Sequence, residues 1–465
     1  MKNLWQMQLH PDNPNWDIKE IDKLLLYYSV IGMGEGWKND RGAPSRFIND
    51  MSIGDIVVIR HQGSPRYLVE VISQSINNEG NNAIDVWFDI YRKVRILSSE
   101  GINYKSKYKK DTNRNWTDGL FAATTFQTAN EWDFVHYWYN AIKDKEAMRQ
   151  YTVLLKSNHN LILSGAPGTG KTYLAQQIAK EMGCSETHMG FVQFHPSYDY
   201  TDFVEGLRPK QDESGNIGFE PKDGIFKKFC EDALLSYLSD ADNAPKYVFI
   251  IDEINRGEIS KIFGELFFSI DSGYRVTKKM IDEHKSGKSP LMTIRTQYAN
   301  ICKRPNAFDE ALGITDANDF GHFFVPDNVY VIGTMNDIDR SVESMDFAFR
   351  RRFAFKEIKA SENLGMLDDM EDKDSIIKRM ENLNVAIEKV EGLSSAYHIG
   401  GSYFMKLKLY QNEDKSYDYD SLWNNHLEGL LMEYLRGMAD AENKVKELKE
   451  YYDLTKTALK DVNNE

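Results

Sequence analysis

Gly165-Ala166-Pro167-Gly168-Thr169-Gly170-Lys171-Thr172 has the spacing G-x-x-x-x-G-K-S/T, which wraps backbone N–H groups around phosphate. The glycines let the main chain come close to an anion. Lys171 brings charge to the β and γ phosphates, and the Thr172 hydroxyl is a ligand for Mg²⁺. The apolar run Leu161-Ile162-Leu163-Ser164 precedes the loop and a helix-forming stretch over 173–181 follows it, so a helix N-terminus adds positive potential. A second apolar run, Tyr247-Val248-Phe249-Ile250-Ile251, ends in Asp252-Glu253. Asp252 is placed to hold the Mg²⁺ shell and Glu253 to polarise an attacking water. A third, Val329-Tyr330-Val331-Ile332-Gly333-Thr334, runs into Met335-Asn336-Asp337-Ile338-Asp339-Arg340-Ser341. Asn336, at that strand's end, would lie beside the γ phosphate and orient water. Arg350-Arg351-Arg352 lies between Phe347-Ala348-Phe349 and Phe353-Ala354-Phe355. Guanidinium groups so held can reach a phosphate in a neighbouring subunit; a structural ion-pair cluster is the alternative.

These residues need strands and helices to present them. Residues 151–360 alternate strand and helix patterns, and the three apolar runs read as strands buried on both faces of a parallel sheet. From 361 to 465 the pattern is helical and charged, with apolar residues at 422, 427, 430, 431 and 434. The expected fold is therefore α/β: a P-loop module of parallel sheet and flanking helices, followed by a helical subdomain. Residues 1–100 differ. Leu4-Trp5-Gln6-Met7-Gln8-Leu9 alternates at period two, residues 18–30 have helical spacing, and residues 55–60, 67–72 and 83–90 read as strands. Without a βαβ rhythm, a small α+β barrel-like domain is expected. Residues 101–150 read as a linker and lead-in helix, and include the basic run Tyr104-Lys105-Ser106-Lys107-Tyr108-Lys109-Lys110.

The 465 residues are 41% hydrophobic and 28% charged, which suits a globular protein of several domains. No apolar run is long enough for a membrane span, and the N-terminus lacks a secretory h-region. Cys184, Cys230 and Cys302 fit neither a disulfide framework nor a metal spacing. A reduced, cytoplasmic setting is expected. The net charge of -14 argues against a protein that coats nucleic acid with its whole surface. Residues 1–110 carry about 15 Lys and Arg against about 13 Asp and Glu, so a nucleic-acid surface belongs near the front. Asp212, Glu220 and Lys222 mimic an acidic nuclease triad, but their surroundings are polar and turn-rich. The chain is expected to hold no nuclease of its own.

Together the P-loop, the Asp-Glu strand, the Asn strand and the arginines resemble an AAA+ module. More specific stretches resemble the McrB family of motor subunits in modification-dependent restriction systems. They are Phe191-Val192-Gln193-Phe194-His195-Pro196-Ser197-Tyr198-Asp199-Tyr200, Lys222-Asp223-Gly224-Ile225-Phe226, residues 250–256, Met335-Asn336 with Asp339-Arg340-Ser341, and Arg350-Arg351-Arg352-Phe353. A weaker echo is His398-Ile399-Gly400-Gly401-Ser402-Tyr403-Phe404. The resemblance implies a hexameric ring that hydrolyses GTP and works with a separate endonuclease, McrC. It assigns support of hydrolysis to Asn336, Asp339 and Arg340, and action across the subunit boundary to Arg351 and Arg352. Phosphate contacts alone do not separate GTP from ATP. Residues 1–100, with Trp5, Gly32-Met33-Gly34-Glu35-Gly36-Trp37 and Gly54-Asp55-Ile56-Val57-Val58, resemble an EVE domain of the PUA/YTH-like group. That likeness implies a reader of modified double-stranded DNA that takes a flipped base between aromatic walls; Trp37 and Trp87 are the candidate walls.

The residues leave two rivals: a MoxR-like or dynein-like ATPase that remodels proteins, and a non-hydrolysing, nucleotide-switched binder of modified nucleic acid. Trp37→Ala is expected to lose discrimination between modified and unmodified duplex in a binding assay while nucleotide turnover persists. Retained discrimination would put the base pocket elsewhere.

Overall fold

The computed structural model describes residues 3–9, 18–34, 43–61, 64–99, 126–128, 133–211, 217–241, 243–338 and 347–457. Trp37, Asp212, Asp339, Arg340 and the basic run 104–110 lie outside them. The chain forms two compact units, Met1–Arg149 and Gln150–Glu465. Among the described residues no helix is long and apolar enough to cross a membrane.

The first unit holds β1 (Leu4–Gln8), β2 (Val30–Met33), β3 (Ile56–His61), β4 (Ser64–Val71), β5 (Ile76–Asn77), β6 (Ile90–Ser98) and β7 (Phe126–Thr128). They make one mixed sheet ordered β2-β6-β4-β3-β1-β7, with β5 on β6. β1 runs parallel to β3 and the other pairs are antiparallel. The period-two pattern sends Trp5 and Met7 into a core with Val57, Ile59, Val69 and Val71. Ile21, Leu24 and Leu25 join it from an α-helix, Ile18–Asp22, that widens into a π-helix over Lys23–Tyr28.

One expectation fails here for a physical reason. No strand covers 83–89; only Ile90 belongs to one. Asn78 takes over the backbone groups a ladder would use. Its Nδ2 donates to the carbonyls of Ile84 at 3.2 Å, Val86 at 3.4 Å and Phe88 at 2.8 Å, while its Oδ1 accepts from the Ile84 N–H at 2.7 Å. The real strand, β6, has a fully buried arginine, Arg92. Its guanidinium donates to the carbonyls of Phe47 at 3.0 Å, Ile48 at 2.9 Å and Ser73 at 3.0 Å. The first two are last-turn carbonyls of the helix Ala43–Asn49, so the cation closes that helix's C-terminal end.

The second unit holds β8 (Asn160–Gly165), β9 (Met189–Gln193), β10 (Glu205–Gln211), β11 (Ile217–Asp223), β12 (Tyr247–Asp252), β13 (Ile294–Arg295), β14 (His322–Phe323), β15 (Val329–Asn336) and β16 (Ala354–Glu357). Five of them form a parallel sheet ordered β16-β8-β15-β12-β9. The three central strands are buried almost throughout, as apolar runs flanked on both faces by helices must be. A cluster of stacked and edge-on rings, Phe203, Phe226, Phe249 and Phe263, fills one face. β10 and β11 form an antiparallel hairpin. Beyond the sheet comes a helical subdomain whose own core includes Leu383, Trp423, Leu427 and Tyr452. The register sets Gly165 beside Asn336 and Ile251 beside Gly333, so the C-terminal ends of β8, β15 and β12 meet. Ligands of open parallel sheets bind outside those ends.

Arg92→Met would take the donor from three carbonyls, one bond buried and two partly buried, and a loss of about 3 kcal/mol is expected in denaturant unfolding of the first unit's core. An unchanged midpoint would mean that water reaches those carbonyls.

Candidate nucleotide site

The loop after β8 needs its glycines. Gly165 has φ 145°, and a Cβ there would lie 2.3 Å from the Ile358 carbonyl oxygen. Gly170, at φ 78°, turns the chain into the helix Lys171–Glu181, whose N-terminus then faces the loop. Lys171 is buried, and its Nζ donates to the carbonyls of Gly165 at 3.0 Å and Ala166 at 2.8 Å and to Asn336 Oδ1 at 2.8 Å.

Asp252 closes β12. Its Oδ1 accepts from the hydroxyls of both Thr172 and Thr334, each at 2.6 Å. A hydroxyl and a carboxylate side by side are hard oxygen donors, the set that suits Mg²⁺ when phosphate and water complete its shell. Among the described residues no group of three or more His, Cys, Asp or Glu side chains could hold a metal ion.

Glu253 follows in the left-handed region at φ 51°, a strained position for a side chain that is not glycine. That turn lifts its carboxylate out of the strand direction. Oε1 accepts from Asn336 Nδ2 at 2.6 Å, and Oε2 lies 3.3 Å from Arg256 Nε. Asn336 thus uses both ends of its amide: the oxygen accepts from Lys171 and the nitrogen donates to Glu253. The two charged neighbours fix which way the amide faces.

The arginine triplet is divided. Arg350 is exposed with its guanidinium 4.8 Å from the Phe355 ring centroid. Arg352 is nearly buried. It sits 4.3 Å from the Phe267 ring centroid and 3.8 Å from Asp271, and donates to the Ala348 carbonyl. Arg351 is exposed. Trp87 is half-buried. Its ring lies 4.3 Å from that of Phe88 and packs on Gly34, where a Cβ would be 3.1 Å away. Glu220 pairs with Lys210 at 2.5 Å and Lys222 is exposed on β11, so neither is gathered into a metal site.

The structure adds Thr334, Arg256 and Asn363 to the site's surroundings. Thr334 was within reach of sequence reasoning, because it is two residues before Asn336 and so on the same face of β15. Asn363 carries no such signal. Its Nδ2 donates to the carbonyls of Thr169 at 3.2 Å and Gly170 at 3.4 Å.

Comparison with known proteins agrees with this geometry. Residues 160–353 match the AAA domain of the dynein-related subfamily, and that part of the chain is an AAA domain: a parallel sheet with flanking helices. Residues 375–443 match the α-helical lid domain of McrB, so core and lid together make an AAA+ module of McrB type. The EcoKMcrB subunit of a type IV methyl-directed restriction enzyme from Escherichia coli (strain K12) is 35% identical over 256 residues, 53% of this chain and 47% of the relative. The YdiS component of the type II restriction enzyme BsuMI from Bacillus subtilis (strain 168) is 27% identical over 233 residues, 46% of this chain and 61% of the relative. The chain thus spans about half the length of the curated relatives it matches. A solved structure, protein Atu2648 from Agrobacterium tumefaciens, is 18% identical, covering 29% of this chain and 89% of its own, at a TM-score of 0.19, too low to bear on the fold.

Glu253→Gln is expected to bind nucleotide within about threefold of the wild type and to lose at least about 100-fold in turnover. Turnover near the wild-type rate would remove Glu253 from the base role.

Proposed function

We propose that the chain is the nucleotide-hydrolysing, DNA-recognising subunit of a two-component restriction system that targets modified DNA. The observation that carries this is the linked set Lys171, Asn336 and Glu253, beside Thr172 and Asp252, under a lid of McrB type. The relatives' names, both of restriction enzymes, support the setting. GTP is the favoured substrate by likeness to McrB, with ATP the alternative.

Thr172 and Asp252 would hold Mg²⁺, which neutralises charge on the β and γ phosphates. Lys171 exchanges its carbonyl and amide partners for phosphate oxygens. Asn336, released by that exchange, orients water, and Glu253 takes its proton. Asp339 and Arg340 support the step, as in the family. Arg351 crosses to the next copy in a ring, taken as hexameric, and meets the charge that builds up there. Arg352 acts from behind by fixing the triplet to Phe267 and Asp271.

The first unit is the reader, an EVE-like domain with Trp87 held in the loop that Asn78 organises and Trp37 as its partner wall. A separate McrC-like endonuclease makes the cut, in the cytoplasm. The protein-remodelling reading keeps one point in its favour, the dynein-related kinship of the AAA domain; the lid points the other way.

GTP hydrolysis is expected to exceed ATP hydrolysis by about tenfold or more and to rise when the partner nuclease is added. A preference for ATP with no response to DNA or nuclease would favour a remodelling enzyme.

A further inference from the structure

A loop that aims its N–H groups at phosphate turns its carbonyls outward, and each of those carbonyls needs a donor. The N–H groups of Gly168, Thr169 and Gly170 donate to no other atom among the described residues. Every carbonyl from 165 to 170 accepts a hydrogen bond. Those of Gly165 and Ala166 accept from Lys171. The next two accept from the lid's backbone: Pro167 from the Gly400 N–H and Gly168 from the Ser402 N–H, both at 3.0 Å. The Thr169 carbonyl accepts from the Asn363 side chain, and the Gly170 carbonyl accepts from the Leu174 N–H at 2.9 Å and, at 3.4 Å, from Asn363 as well.

The fit is close. A Cβ on Gly400 would lie 2.2 Å from the Gly168 carbonyl carbon, and one on Gly170 would lie 2.6 Å from Asn363 Nδ2. Asn363 stands between β16 and the short helix Leu364–Leu367, where the sheet gives way to the lid. Its backbone is left-handed, at φ 55° and ψ 37°, a conformation asparagine tolerates better than most residues.

We propose that the lid is the outer half of the phosphate-binding loop, and that Asn363 is the positioning residue that joins the two. The amide holds the Thr169 and Gly170 carbonyls outward, which keeps the matching N–H groups aimed at phosphate. A lid that shifts therefore takes the loop with it, and nucleotide affinity follows lid position within one chain. This rests on the P-loop being a nucleotide site.

The test uses the full chain, fluorescent GTP and ATP analogues, and the variants Asn363→Asp and Asn363→Gly. The carboxylate keeps the size but sets oxygen against two carbonyls. Glycine keeps the left-handed turn and removes only the amide. Asn363→Asp is expected to weaken analogue binding by about tenfold or more. Asn363→Gly is expected to weaken it less, by about threefold, since the Gly170 carbonyl keeps its Leu174 donor and water can reach the freed Thr169 carbonyl. Neither is expected to move the nucleotide-free unfolding temperature by more than about 2 °C. Wild-type affinity in both variants would overturn the proposal. So would weakening accompanied by an equal loss of nucleotide-free stability, which would make the residue merely structural. A wild-type chain that binds neither analogue overturns the nucleotide reading and this joint with it; wild-type binding with unchanged variants overturns the joint alone.

Discussion

An ammonium group on a residue that is only 7% exposed has to be surrounded by oxygen, because water cannot do it. Lys171 finds that oxygen at the ends of two strands: the Gly165 and Ala166 carbonyls after β8, and the Asn336 amide at the end of β15. The requirement ties the loop to the neighbouring strand. Through Asn336 it extends to Glu253, beyond the end of β12. A single buried charge thus aligns the three strand ends where phosphate chemistry is proposed. The oxygens around it are the kind a triphosphate would offer, so exchange of partners asks for little rearrangement.

Much of this module was legible because its chemistry is local. Lys171 and Thr172 close one short motif, and Asp252, Glu253 and Asn336 each follow a largely apolar run. What stayed hidden was long-range or compensated. β9 is an edge strand with alternating exposure and β16 is short, so neither reads as a buried run. The hairpin of β10 and β11 is exposed along most of its length and leaves no core signature. The link from Asn363 to Thr169 joins residues nearly two hundred positions apart, and an asparagine after a strand reads only as a turn.

The first unit shows the same limit from the other side. The alternation of Trp5 and Met7 marked β1 correctly. β6 was not read as a strand, and its Arg92 lies inside because its charge is met by carbonyls that no sequence pattern displays. Asn78 dissolved an expected strand by offering its own hydrogen bonds. In both places one polar side chain answers to partners that are not its sequence neighbours, which is how tertiary context overrides local propensity.

The arginine triplet has a mechanical corollary. Arg350 lies over one aromatic ring and Arg352 over another, so the backbone between them is pinned like a ruler held at both ends. Arg351 can then reach only as far as its own side chain extends. In the proposed ring, that makes the residue a gauge of how squarely two copies meet: a neighbour seated askew receives no charge, and its nucleotide waits.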